Sequence, residues 1–160
     1  MSDFAESRAK LHADFVRIFG GGRAVPPARV ADLAAIERAL ETVLPASYKV
    51  FLLQHGPVST SSISDLILDR GLEHSDLQDF MDPGHIVKVT RSHWSAGMPE
   101  TLVSFASDCM GNLFCFARDS EFDDRVHFFD HDLCEVSEVA SDFDALLAWY
   151  VENLADEGAI

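Results

Sequence analysis

The densest run of chemically capable side chains is His127, Asp130, His131 and Asp132, within VHFFDHD. Imidazoles and carboxylates in such proximity ligate zinc, or act as general acid and base in hydrolysis. Histidines four residues apart meet on a helix, but here the aromatic neighbours put them on a strand end and a turn. His127 and Phe128 then point to opposite faces, and nothing fixes His131 beside His127. A closed metal site takes three or four convergent ligands, so the four residues read as a hydrogen-bonding corner and no metal is assigned. Cys109 and Cys134 each have a thiol that could attack beside a histidine, but neither lies in a motif that supplies a base and an orienting group. Cys115 sits in an apolar strand pattern and reads as a small core residue. Residues 59–62 are Ser and Thr without the Gly and Lys of a phosphate-binding loop. Glu37 and Glu41, on a predicted helix, read as solvent-exposed. No catalytic residue and no cofactor is assigned.

A sheet must position these groups. Two apolar runs, residues 102–106 and 112–117, flank a polar turn at 107–111, where Gly111 and Asn112 tolerate positive φ. A third run, 125–130, follows an acidic loop, and 133–139 reads as an edge segment. The pattern predicts an antiparallel meander. Phe114 and Phe116 share one face and Cys115 takes the other, while Phe128 and Phe129 oppose each other, so one strand here is expected to be covered on both sides.

Helices are predicted around it. The first, 3–19, carries Phe4, Leu11, Phe15, Ile18 and Phe19 and reads as a packed arm, since these side chains would otherwise sit in water. Gly20, Gly21 and Gly22 end it, and Val25-Pro26-Pro27 continues the joint. A second helix, 28–42, presents Val30, Leu33, Ile36, Ala39, Leu40 and Val43 as one stripe. Pro45 opens a third, 46–55, with Tyr48, Phe51, Leu52 and His55 inward and Gly56-Pro57 closing it. Residues 58–69 read as a strand or two, 72–84 as loop with one short helical turn, and 83–94 as helix. Ser141 is the expected cap of a final helix whose stripe is Phe143, Leu146, Leu147, Tyr150, Val151 and Leu154. Residues 155–160 read as a frayed tail. Trp149 reads as packing, and Trp94 as a partly exposed residue able to anchor a partner.

At 160 residues the chain suits one domain that needs no disulfides. The expected division is residues 1–24, an N-terminal helix and Gly-rich joint, and residues 25–160, a single α+β domain. The fold class is α+β, a mainly antiparallel meander packed against several helices. The net charge of −15 excludes a nucleic-acid surface, which needs Lys and Arg. Residues 119–160 hold thirteen acids against the single base Arg125, a net −12, so most of the charge lies in the last quarter. Such a field favours a basic protein partner. Three cysteines without CxxC spacing, and an N-terminus without an apolar leader, lead to a cytoplasmic expectation. No apolar run approaches membrane-spanning length.

Three segments resemble the SUKH superfamily, the SMI–KNR-type domain. ADLAAIERALETVLPASYKVFLLQHGPV is similar to its helix, Leu-Pro break, helix and closing polar-Gly signature. VSFASDCMGNLFCF is similar to its strand, turn and strand with a Gly-Asn corner. VHFFDHD followed by SDFDALLAWYVEN is similar to its strand ending at Asp-His and its closing helix. The chain departs from the family in a turn poorer in glycine and in His55, where Asn is common before the Gly.

The resemblance implies an α+β interaction domain without catalytic residues. Bacterial members are often cytoplasmic immunity proteins that neutralise secreted toxins, frequently nucleases; fungal relatives act in cell-wall signalling. The expectation is a non-enzymatic immunity protein that occludes a basic toxin domain. Asp119, Glu121, Asp123 and Asp124 in the acidic loop, with Asp130, Asp132 and Glu135 at the following strand end, would form its partner-binding face. The alternatives are a regulatory module without a toxin partner and a small metal-dependent hydrolase using His127 and His131.

Overall fold

The computed structural model describes residues 2–21, 25–60, 62–121 and 123–155. Its centre is a five-stranded antiparallel sheet in the order β1-β2-β3-β4-β5. The strands are β1 (Asp79–Phe80), β2 (Leu102–Ser107), β3 (Leu113–Ala117), β4 (Val126–Asp130) and β5 (Glu135–Ala140). The helices are α1 (Ser2–Phe19), α2 (Val30–Leu40), α3 (Ala46–His55), α4 (Ser62–Asp69), α5 (Pro83–Ser95) and α6 (Phe143–Leu154). The meander and its outermost strand stand where the residue pattern puts them.

Alternation along the strands separates two buried faces. Val103, Phe105, Phe114, Phe116 and Val126 join the main core with α1, α3 and α6. There Phe105 stacks on Phe116 with centroids 4.1 Å apart, and Phe143 meets both rings edge-on. Leu113, Cys115 and Phe129 face the other way, in a second cluster with Met98 and Leu102 beside α5. Burying each such side chain is worth about 1.5–3 kcal/mol, so two-sided coverage accounts for much of the sheet's stability. Ser104, also buried, meets Thr90 of α5, Oγ to Oγ at 2.8 Å, and its N–H donates to Thr90 Oγ1 at 3.1 Å. That pair satisfies its own polar groups at the α5–sheet contact.

The N-terminal helix is packed rather than loose. Phe15 and Phe19 are fully buried, although Phe4 lies exposed beneath the Arg8 guanidinium. In α2, Leu33, Ile36 and Leu40 face the core while Val30 is 71% exposed, because the helix begins two residues later than predicted and Val30 falls in its first turn. Val43, past the helix end, is also exposed.

Four local expectations are corrected. Residues 62–69 form a helix, not a strand, because Ile63, Leu66 and Ile67 are spaced three and four apart, and a helix turns all three to the core where a strand would divide them between two faces. Residues 79–80 form a short strand in the segment expected to be loop with a helical turn, paired to Ser107 and Ala106. The cap of α6 is Asp142, whose Oδ1 accepts the Ala145 N–H at 2.7 Å, rather than Ser141. Pro45 stands at the N-cap of α3, one residue before the helix. Gly56 ends α3 with φ 75° and ψ −178°, and a Cβ there would lie 2.4 Å from the Pro26 carbonyl oxygen. The third glycine of the joint and residues 156–160 of the expected frayed tail lie outside the described residues.

Candidate functional site

The predicted partner-binding acids occupy both ends of β4. Asp119, Glu121, Asp123 and Asp124 lie in the loop entering it, and Asp130, Asp132 and Glu135 lie where it leaves. Its five residues separate the groups by about 13 Å. The two groups therefore do not form one patch, and β5 runs between them.

At the loop end, Arg125 spans Asp123 with both guanidinium contacts at 2.8 Å, and its Nε lies 3.6 Å from Glu138 of β5. The hydrogen bonds from Arg125 hold the Asp123 carboxyl down at about 2, outweighing its slight desolvation. Asp119, Glu121 and Asp124 have no hydrogen bond or ion pair among the described residues. Asp119 and Asp123 line a cleft of about 800 Å³ together with Glu37, Glu41 and Glu100. Glu121 and Asp124 line an adjoining one of about 310 Å³ that holds Arg8 and Lys49.

Sequence reasoning does not reach these additional groups. Glu37 is more than a solvated residue: its Oε2 accepts the Leu44 N–H at 2.8 Å and faces Lys49 Nζ at 3.2 Å. Arg118 joins the elements around the larger cleft. Its Nε donates to the Leu40 carbonyl at 2.7 Å, its Nη2 lies 3.3 Å from Glu41, and its guanidinium covers the Trp94 ring at 4.8 Å. Trp94 Nε1 donates to the Leu102 carbonyl at 2.8 Å, so this tryptophan fastens α5 to β2. The sequence signal for the cleft is only the acidic composition of the loop; contacts with residues some 80 positions away have no local signature.

At the corner end, Asp130 Oδ1 accepts the N–H groups of Asp132 and Leu133 at 2.9 and 3.0 Å, which shapes the β4–β5 turn. Asn112 Oδ1 accepts the His131 N–H at 3.1 Å and lies 2.7 Å from its Nδ1. Asp108 Oδ1 accepts from Met110 and Asn112 in the β2–β3 turn, where Gly111 has φ 85°. His131 is thus held to the neighbouring turn, while His127 sits on β4 opposite Cys115. Asp130, His131 and Asp132 thus form the hydrogen-bonding corner that the residues suggested, and His127, expected in it, stands apart on the strand. Among the described residues, no group of three or more His, Cys, Asp and Glu side chains is placed to hold a metal ion.

One further constellation joins Arg8 and His12 of α1, Ser47 of α3 and Asp144 of α6. His12, 1% exposed, has Nε2 2.7 Å from Asp144 Oδ1, and the Ser47 hydroxyl donates to the same oxygen. Arg8 Nε donates to Oδ2 at 2.8 Å. Burial would raise the Asp144 pKa, but the bonds from His12, Ser47 and Arg8 prevail and hold it at about 2. A Ser-His-Asp relay needs the serine proton to pass to the imidazole. Here Ser47 Oγ lies 3.3 Å from His12 Nε2, but that same nitrogen faces Asp144 Oδ1 and the serine hydroxyl donates to that oxygen, so the three groups converge on one carboxylate and act as a clamp among three helices.

No helix among the described residues is long and apolar enough to cross a membrane. A search of the curated proteins finds no match. Residues 27–149 match the model of the SMI1 / KNR4 family (SUKH-1), whose members are generally non-catalytic immunity or regulatory proteins acting through protein–protein interaction. That match covers well over half of the chain, from the proline segment before α2 into α6, and the chain therefore belongs to the SMI1 / KNR4 family (SUKH-1).

Proposed function

We propose that the protein is a cytoplasmic immunity module that binds a basic, secreted toxin domain and occludes it without chemistry of its own. The supporting observation is the set of loop carboxylates with no partner among the described residues: Asp119 in the cleft of Glu41 and Glu100, and Glu121 and Asp124 at the adjoining cleft, which Arg8 and Lys49 also line. Left unpaired on a chain of charge −15, they draw a basic surface in and orient it.

The test is association kinetics with the product of an adjacent toxin gene, after capture by pull-down. The triple variant Asp119→Lys, Glu121→Lys, Asp124→Lys should cut the association rate by about tenfold or more at low salt, with the difference shrinking as salt rises. Its melting temperature should stay near that of the parent, since exposed charges contribute little to stability. An unchanged rate at low salt would sink the steering mechanism. A neighbour that is not a toxin yet binds tightly would favour a regulatory module, the other activity found in the family.

A further inference from the structure

The two edges of the sheet are unlike. At β1 the neighbouring segment closes the edge: Thr60 N–H donates to the Gln78 carbonyl at 2.6 Å, and Phe80 N–H donates to the Val58 carbonyl at 3.0 Å. At β5 residues Glu135–Ala140 pair with β4 on one side, and among the described residues no backbone hydrogen bond reaches the other side. Residues 131–138 are exposed throughout. Six residues give an open edge of about 20 Å, long enough to accept an added strand.

The side chains along this edge limit what can pair with it. Leu133 is 66% and Val136 43% exposed, and Met110, on the adjoining turn, is 69% exposed. Among them stand Asp132, Glu135 and Glu138. Among the described residues, the one Lys or Arg ion-paired with β5 is Arg125, already engaged by Asp123. A second copy is a poor occupant. It would set the acids of two β5 strands near one another and bring together two chains of charge −15. Glu135 stands on one face of β5, with Val136 and Glu138 on the other, so an extended segment carrying basic side chains on both faces and an apolar one among them complements the edge.

We propose that β5 is the docking edge for an extended basic strand of a protein partner, which adds a sixth strand to the sheet. Its lysines or arginines meet Glu135 on one face and Glu138 on the other, and an apolar side chain next to the latter covers Val136, which shares the face of Glu138. This rests on the protein-binding reading above and adds the place and mode of binding. It also gives the two separated acidic groups a common role, since β5 is the path between them.

The test titrates the isotope-labelled full chain with an eight-residue peptide of lysine pairs alternating with valine pairs, which puts both residue types on each face, with the glutamate–valine counterpart as control. Amide shifts confined to residues 131–140, with new exchange protection in β5, are expected for the basic peptide alone. Glu135→Lys combined with Glu138→Lys should weaken binding by about tenfold or more while leaving the fold intact. Shifts confined to the 119–124 loop, equal binding by the variant, or no shift at millimolar peptide would each overturn the proposal. Capture of a natural basic partner equally by parent and double variant would refute the edge while leaving the protein-binding reading standing. Failure of the parent to capture any such partner would count against that reading itself.

Discussion

Asp144 is the residue on which most depends. It lies in the first turn of α6, yet its carboxylate faces Arg8 and His12 of α1 and Ser47 of α3. Replacing it with alanine removes three charge-assisted contacts and leaves the buried His12 imidazole with only the Ser47 hydroxyl, 3.3 Å away. The expected loss is about 2–3 kcal/mol, read by urea denaturation at pH 7. The pH dependence has a definite sign. Its folded pKa of about 2 lies below the unfolded value near 3.9, so the stabilisation is complete above about pH 5 and lost as acidity rises towards pH 2. The Asp144→Ala variant should show a shallower fall in stability over that window. An equally steep fall would assign the acid sensitivity to other carboxylates. Nothing in the sequence marks this residue beyond its place near a helix start, because its partners lie 97 to 136 positions away.

At the scale of elements, the closing glycine of α3 is a point of close packing. Gly56 adopts a φ of 75° with extended ψ, and the Pro26 carbonyl occupies the space that a side chain would need. Gly56→Ala should therefore cost about 2–4 kcal/mol, from strain and displacement of the proline segment, measurable as a large drop in denaturation midpoint. A neutral result would mean that the proline segment yields freely. The sequence reveals that a glycine stops this helix, but not that it admits the chain before α2. Elsewhere the periodicity is informative where one face is buried: the α6 stripe is fully inside, and the alternation of β3 assigns Cys115 and the phenylalanines to the correct faces. It misleads in residues 58–69, where β-branched residues favour a strand by type while the spacing of Ile63, Leu66 and Ile67 favours a helix. Packing decides for the spacing.

For the whole molecule, the extent of the family match and the extent of the core differ. The match begins at residue 27, but Phe15 and Phe19 of α1 are buried among α3, α6 and the sheet. A chain truncated to start at residue 25 should lose cooperative unfolding and its near-ultraviolet circular dichroism, because it exposes an apolar face and leaves Asp144 without Arg8 and His12. A cooperative, native-like truncation would make α1 an accessory.

The sequence alone determines the order of strands in the meander, the two-sided burial of one strand, most of the helices, the excess of negative charge and the family resemblance. All of these follow from local periodicity, turn chemistry and composition, which need no knowledge of distant contacts. Tertiary structure decides which charges are neutralised and which stay unpaired. It places the predicted acids at two ends of β4 and sets Arg118 among acids from three segments. It also closes one sheet edge and leaves β5 open. These outcomes depend on which side chains from remote parts of the chain arrive at the same place, and neither spacing nor residue type records that.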